Sequence, residues 1–455
     1  MLWTRSKSIH VPPSVLNLCH HLQTNGYQTY VVGGAVRDAV RGEEPTDWDV
    51  TSDALPDQIE QLFRKTIPTG KKYGTITVLI DSTPIEVTTM RKDAPYSDGR
   101  RPDTVTYTSD ITLDLGRRDF TINAIAYDPL LQRFVDPYNG RKDVRRRLLR
   151  TVGNPVARFN EDALRMLRFL RFSATLNYRL DNQAIQALNP ALLVHVAWER
   201  IRDELSKLLL ATNFIPAMQL CYTSGIMNII LPELTSCAGV YQGNRHKWDV
   251  LGHSLMCAQA IEPQLPLRLA ALLHDIGKPS TTSIDQKGIH FYNHDQIGAQ
   301  LAKTCLQRLK YSNEMQRKVD TLVRWHMFPI HPQSTDKAIR RFIAKCGSEH
   351  IEDLIQLRKA DILAMHHNPK QAWQYYQAMT NRIREITAYE QPLSVRELAI
   401  DGEDLLQHFS LTPGPLIGAT LNHLLEIVLE DPSSNTASIL IDAATSYIAK
   451  HKSNS

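Results

Sequence analysis

The sequence predicts an α+β protein: a mixed sheet with helices in the first part, helices almost alone after it. Three observations carry this. Residues 1 to about 140 hold short β-branched runs, such as Thr75–Ile80 and Thr104–Tyr107, separated by turn residues. From Arg141 onward Leu, Ala, Arg and Ile recur at three-to-four spacing. The 455 residues, at the usual ~150 per domain, leave room for several cores. In order, an amphipathic helix follows Pro13 and ends near Gly26, and a strand through Val31 and Val32 reaches the Gly33-Gly34 turn. A helix begins there with Arg37 and Asp38, and a second strand carries Asp47 and Asp49. The run Pro84–Arg91, containing Glu86, reads as a further strand. There is no repeat of 20 to 50 residues and no low-complexity tract, and Lys450–Ser455 reads as a disordered tail.

Composition narrows the function classes. Hydrophobic residues make up 42%, and the net charge of +4 leans only mildly toward a polyanionic partner. Locally the lean is stronger: Arg141, Lys142, Arg145, Arg146, Arg147 and Arg150 crowd around the single acid Asp143, a pattern also expected of a solvated helix face. Six scattered cysteines contain no Cys-x-x-Cys pair, so neither a disulfide framework nor a thiolate zinc site is suggested. No apolar leader and no run of ~18 apolar residues is present, so we expect a cytoplasmic protein with no membrane partner.

The Gly33–Asp49 block carries chemistry. Two glycines let backbone N–H groups approach phosphate oxygens, and the helix that follows adds the positive end of its dipole. Side chains alternate along a strand, so Asp47 and Asp49 are expected to point the same way, as carboxylates sharing divalent cations with a triphosphate must. Glu86 fits as a third. Phosphoryl or nucleotidyl transfer uses such ions on both the attacking and the leaving oxygen. A glycine pair after a strand usually only connects elements; the spaced aspartates tip the balance.

These residues resemble the class II tRNA nucleotidyltransferases, the CCA-adding enzymes, and the related bacterial poly(A) polymerases. The likeness continues in the same order through Arg117–Ala124, Asp136–Asp143, Glu161–Arg165 and Trp198–Leu205. Asn139 departs from the glycine expected in Asp-Pro-x-Gly-Gly, but Asn tolerates a left-handed backbone. The resemblance implies a polymerase-beta-like nucleotidyltransferase head over 1–140, a helical neck over 141–235, a body with an HD domain over 236–370 and a tRNA-binding tail over 371–455. It implies tRNA, CTP and ATP as substrates and Mg²⁺ as the cofactor of the head. Gly33, Gly34, Arg37 and Arg118 would hold the triphosphate, and Asp119 and Asn123 the ribose.

On a helix, Asp162, Arg165, Arg168 and Arg171 would share one polar stripe. A carboxylate beside a guanidinium can imitate a template base: cytosine and adenine offer an exocyclic amine that Asp162 can accept, next to ring acceptors within reach of Arg165, whereas guanine and uracil present a carbonyl there. A surface salt bridge is the plainer use of the pair. The run Arg91–Pro102 resembles the flexible loop of CCA-adding and A-adding enzymes, which leaves A-addition alone, and after it poly(A) synthesis, as alternatives to full CCA addition. In the helical half, His253, His274-Asp275, His294, His326 and Asp361 follow the order of an HD-type metal phosphohydrolase, suited to a divalent transition metal or Mg²⁺. An inactive head with hydrolysis at that site is the reading from a different class. Leu398–Leu405 and Pro413–Gly418 resemble the end of such enzymes, which would grip the tRNA elbow.

Overall fold

The computed structural model describes residues 9–93, 105–243, 247–286, 288–327, 330–331, 333–365, 369–388 and 394–452. The chain forms two compact units, 1–230 and 231–455.

In the first unit, helix α1 (Pro13–Thr24) buries Val15, Leu18, Cys19 and Leu22 on one face and ends before Gly26, whose φ of +89° reverses the chain. Strand β1 (Thr29–Val32) runs into Gly33, and α2 (Gly34–Arg41) begins at once, so Arg37 and Asp38 sit one turn inside it rather than at its start. After β2 (Asp49–Ser52) come α3 (Pro56–Leu62) and the meander β3 (Thr66–Gly70), β4 (Thr75–Ile80) and β5 (Thr83–Thr89). A side hairpin pairs β6 (Arg91–Asp93) with β7 (Val105–Tyr107); residues 94–104 of the expected flexible loop lie outside the described residues. Helix α4 (Ile111–Gly116) leads to β8 (Ala126–Asp128) and β9 (Arg133–Val135). The sheet order is β3-β4-β5-β2-β1-β8-β9, and only β2 and β5 run parallel within it. That parallel pairing sets Asp49 beside Glu86.

Asp47 precedes β2 instead of lying on it, so the expected alternation of two aspartates along one strand is not what brings them together. The segment from Gly42 to Trp48 is irregular, and the pairing of β1 with β2 stops at Val32 opposite Asp49. The charge of Asp47 still acts on Asp49.

Asn139 has φ +60°, the left-handed backbone expected of it, and caps α5 (Gly140–Arg146). Asp136 accepts from Gly140 N at 2.6 Å and Arg141 N at 3.0 Å. A Cβ on Gly140 would lie 2.0 Å from Thr121 O, so this turn seals onto the backbone beside β8 only with glycine. Next come β10 (Leu148–Leu149), α6 (Pro155–Glu161), α7 (Leu164–Leu176), β11 (Arg179–Leu180), α8 (Asn182–Gln186) and α9 (Trp198–Leu209). β10 and β11 pair in parallel.

The second unit is helical, apart from a hairpin of Thr282–Asp285 with Gly288–Phe291 that three-to-four periodicity did not announce. Helices Val250–Ala260, Leu265–Leu273, His294–Arg308, Asn313–Arg324 and Ile351–Met365 hold one core. A later cluster, with Leu405, Leu424, Val428 and Leu440 fully buried, joins helices Gly402–Phe409, Pro415–Glu430 and Ala437–Lys452. The last of these is helical through Lys452, against the disorder expected from Lys450, while residues 453–455 of that tail lie outside the described residues; its buried Leu440, Ala444 and Ile448 recur every fourth residue and hold it. All six cysteines are free and buried.

Replacing Gly140 by Ala should lower the stability of the protein by about 2–3 kcal/mol, the scale of an overpacked core. Urea unfolding of the variant checks this, and an unchanged midpoint would show that the α5 turn yields.

Candidate active site and a second acidic-histidine cluster

A cleft of about 740 Å³ opens in the first unit, where the end of β1, the parallel pair β2 and β5, the segment after α4 and one face of α7 meet. It brings together Gly33, Gly34, Arg37, Asp49, Glu86, Arg118, Asp119, Asn123, Asp162, Arg165, Arg168 and Arg171, residues drawn from a span of about 140 positions.

The floor is the Gly33 turn. Gly33 has φ +74°, and a Cβ there would stand 3.2 Å from Arg118 Nη1 and 3.4 Å from Asp49 Oδ2. Glycine is therefore needed twice, for the backbone angle and for the space between a guanidinium and a carboxylate. Gly34 is under less constraint, since a Cβ would meet only Arg37 Nη2 at 3.6 Å.

On one wall Asp49 and Glu86 stand together, while Asp47 does not line the cleft and acts on Asp49 only through its charge. The carboxyl of Asp49 is pushed up, chiefly because the surrounding protein strips it of water, with Glu86 and Asp47 adding and Arg118 opposing. Excess negative charge gathered there is what a divalent cation would relieve. Arg118 shows the complementary imbalance. Burial lowers its pKa despite Asp114 and Asp49 nearby. Its Nε is buried with no hydrogen-bond partner among the described residues, and its contact with Asp114 is a loose 3.6 Å. A buried guanidinium donor without an acceptor is costly, and a phosphate oxygen would satisfy it.

The opposite wall is tied to the sheet by a chain of charged hydrogen bonds. Arg37 donates to Asn123 Oδ1 at 2.8 Å, and Asn123 donates to Asp119 Oδ1 at 3.1 Å. Arg168 of α7 grips Asp119 Oδ2 through Nε at 2.8 Å and Nη2 at 2.7 Å. Arg171, one turn on, meets the buried Glu204 of α9 at 2.5 Å. Burial would raise the carboxyl of Asp119, but Arg168 and Asn123 outweigh it and hold it below its usual range. With Phe120 N also bonded to Oδ1, its acceptor sites are filled, so Asp119 contacts a ribose only by giving up a present donor.

Asp162 and Arg165 are not on one continuous helix. Asp162 ends α6 in an extended conformation, φ −145°, and its Oδ1 accepts from Leu164 N at 3.1 Å to start α7. The expected salt bridge between the two is replaced: Asp162 Oδ2 accepts from Arg200 at 2.8 Å, and Arg165 bonds Glu161 at 2.6 Å and the carbonyls of Arg158 and Arg117. The physical reason is the break between the two helices: Asp162 closes α6 in an extended conformation and turns its Oδ1 to Leu164 N, so it does not lie along the side of α7. Both still face the cleft, and Asp162 uses two acceptor contacts of about four. The sequence reading gave no role to Arg200, Glu204, Glu161 or Asp114. Arg200 and Glu204 stood in a recognised block, but nothing local links them to partners more than 30 residues away.

In the second unit His253, His274, Asp275, His294, His326 and Asp361 converge. Asp275 lies between two groups: its Oδ2 is 3.2 Å from His274 Nε2 and 3.6 Å from His253 Nε2, its Oδ1 3.4 Å from His294 Nε2 and 3.7 Å from His326 Nε2. Asp361 Oδ1 joins the first group, 3.1 Å from His253 Nε2. His274, His294 and His326 each turn Nδ1 to a backbone carbonyl at 2.6–2.8 Å, aiming Nε2 inward. Two overlapping sets, His253-His274-Asp361 and His274-Asp275-His326, have ligand atoms within 4.8 Å of one another. Burial, with His274 adding, pushes His326 down to about 3, and a neutral imidazole is the metal-binding form. A Cβ on Gly277 would fall 2.2 Å from His294 O, so the glycine of the His-Asp-x-Gly run lets the two ligand-bearing segments touch.

Comparison with known proteins agrees with the geometry of the cleft. A "Poly A polymerase head domain" family model matches residues 29–150, a "Probable RNA and SrmB- binding site of polymerase A" model 182–237, and a "tRNA nucleotidyltransferase domain 2" model 290–444. The chain is 32% identical to a CCA-adding enzyme of Lactobacillus johnsonii over 433 residues, 94% of this chain and 96% of that one. It is 42% identical to one from a Geobacillus species over 239 residues, 52% of this chain and 59% of the relative. The crystal structure of the Bacillus stearothermophilus CCA-adding enzyme in complex with CTP superposes with a TM-score of 0.70 at 27% identity, covering 97% of this chain and all of that one.

Asp119→Asn should cost roughly 2 kcal/mol at neutral pH by removing the ionised acceptor of Arg168, which keeps only its longer contact with Glu204 at 3.6 Å. Because the folded carboxyl titrates below its ordinary value, that contribution is present above the usual carboxylate range and is lost as the pH falls through the folded value. Urea titrations of both proteins from pH 7 to pH 3 check it; a gap that does not narrow with acid contradicts the assignment.

The carboxylate cluster beside a glycine turn, the unsatisfied Arg118 and near-full-length likeness at 32% identity lead to one conclusion: the chain belongs to the CCA-adding family of tRNA nucleotidyltransferases.

Proposed function

We propose that the protein adds C, C and A to the 3′ end of tRNA from CTP and ATP, releasing pyrophosphate, without a nucleic-acid template. The observation that carries the reading is the single cleft with a phosphate-and-carboxylate wall on the sheet and a polar wall on α7. Asp47, Asp49 and Glu86 are the catalytic carboxylates, with Asp47 and Asp49 holding Mg²⁺. Bound there, the ions would supply charge neutralisation at the attacking 3′-oxygen and the departing pyrophosphate. Gly33 and Gly34 offer backbone N–H groups to the triphosphate, and Arg118 offers its unused Nε; Arg37, braced by Asn123, completes that grip.

Asp162, held by Arg200, presents acceptor capacity to the amine of cytosine or adenine, and Arg165 faces their ring acceptors. Arg168 and Arg171 position this wall through Asp119 and Glu204. We keep the four-part division at 1–140, 141–235, 236–370 and 371–455 as the working one, with the last part as the grip on tRNA. A cytoplasmic location follows from the substrate; no helix among the described residues is long and apolar enough to cross a membrane.

A second activity is supported by the His-Asp cluster. The split of Asp275 between two imidazole pairs favours two divalent ions, transition metal or Mg²⁺, at an HD-type phosphohydrolase site.

Asp47→Ala should abolish nucleotide addition, and undiminished addition would remove Asp47 from the site. Asp162→Ala should narrow the preference for CTP and ATP over GTP and UTP by at least tenfold, about 1.4 kcal/mol, and intact discrimination would end the base-reading role. Mn²⁺ titration should give two ions per chain in the second unit of Asp47→Ala, and none there after Asp275→Ala; binding unaffected by Asp275→Ala contradicts the bridging assignment.

A further inference from the structure

None of the basic run after Asn139 lines the cleft, and the surrounding fold engages only part of it. Arg150 closes on the buried Asp143 at 2.8 Å, and Arg141 lies over the Phe134 ring at 4.0 Å. Lys142, Arg145, Arg146 and Arg147 remain exposed, and the β10–β11 pairing brings exposed Arg179 alongside, its N donating to Arg147 O at 2.8 Å. Among the described residues none of these five cations meets a carboxylate, whereas the arginines of the cleft are matched by Asp38, Asp114, Asp119, Glu161 and Glu204. Beside them is a hollow of about 500 Å³ lined by Arg41, Arg145, Arg147 and Tyr178. Arg41 is already neutralised by Asp38 at 3.3 Å and Glu43 at 2.8 Å and stands 5.7 Å over the Tyr178 ring, so the surplus charge of the hollow belongs to Arg145 and Arg147.

Cations at the end of α5 offset its dipole, but a helix end carries only about half a unit charge, less than this group supplies. Position gives the surplus a use. Helix α2 runs from the Gly34 turn to Arg41 at the hollow, eight residues or about 12 Å. A polynucleotide whose 3′ end lies in the cleft carries its next phosphates at that range.

We propose that Lys142, Arg145, Arg146, Arg147 and Arg179 form a phosphate-backbone contact for the RNA stem behind the reacting 3′ end, apart from the nucleotide cleft. The contact rests on the tRNA reading above and reads no sequence: it sets the position of the stem and makes binding salt-dependent. The same chemistry would accept a free polyphosphate, and the test separates the two.

The full chain carrying Arg145→Ala and Arg147→Asn, the second choice suiting the φ of +50° at that position, is compared with the wild type for binding of tRNA lacking CCA across a KCl series. The expected result is ~10-fold weaker binding at low salt and a log–log salt slope shallower by about 2, with kcat at saturating tRNA and KM for CTP unchanged. Lys142→Ala with Arg146→Ala, both exposed, repeats the test should the first variant fold poorly. Wild-type binding with an unaltered constant and slope in either folded variant overturns the contact. A pyrophosphate-induced rise in Tm that is larger in the wild type than in the variant, whose cleft still binds pyrophosphate, with tRNA binding equal in both, assigns the hollow to a small anion and overturns the RNA contact. Absence of tRNA binding by the wild type itself would instead bring down the tRNA reading and the contact with it.

Discussion

The grip of Arg168 on Asp119 is the constraint on which the nucleotide cleft depends. One partner belongs to the segment leading into β8, the other to α7, and the two bonds of 2.7 and 2.8 Å fix the helix on one wall of the cleft against the sheet on the other. Such a pair contributes little as raw stability, because desolvation takes back most of the attraction. Its effect is geometric. Two donors on one carboxylate oxygen, with Asn123 and Phe120 N on the other, leave Asp119 a single orientation, and through Asn123 the same orientation reaches Arg37.

Within that frame the cleft is unbalanced in opposite senses on its two sides. Asp49 and Glu86 share the edge of β2 and β5 with the charge of Asp47 acting on Asp49, while Arg118 Nε is buried with its donor unspent. Mutual repulsion and an unmet donor both cost free energy, and the metal-bound triphosphate proposed for the cleft would relieve both together. Gly33 is the hinge of this arrangement, since any side chain there would wedge Asp49 away from Arg118. The second unit handles its buried charge differently: Asp275 and Asp361, both raised by burial, are brought well below the ordinary carboxylate range by facing imidazoles and by Lys278 and Arg358.

What was legible in the sequence is what depends on neighbours in the chain. The β1–Gly33–α2 turn, the left-handed Asn139 and the strand bearing Glu86 each follow from residues within a few positions. The order of His253, His274, Asp275, His294, His326 and Asp361 was legible, and their side chains converge. Where a local rule had two solutions the reading went astray. The reading sets Asp162 on the side of a helix, yet the chain breaks there between α6 and α7, and its carboxylate turns to Leu164 N and Arg200. Asp47 was placed on a strand that starts two residues later. The Lys450 end was read as disordered because its exposed residues are polar, although the helix there is held by apolar residues upstream. Arg200 and Glu204 act on partners brought near only by the fold, and no pattern in one sequence reports that, whereas Asp114 pairs with Arg117 and Arg118 at helical spacing and was open to a local reading.

The central claim is that one cleft both performs nucleotidyl transfer and chooses the base without a template. The most direct measurement supplies the purified protein and Mg²⁺ with three tRNAs, ending before CCA, after C and after CC, together with all four nucleoside triphosphates, and reads the products at single-nucleotide resolution. The account predicts that all three finish at CCA with no G or U incorporated. Growth of the CC-ending tRNA alone would reduce the activity to A-addition, and indiscriminate incorporation, or no growth on any of the three, would contradict the account.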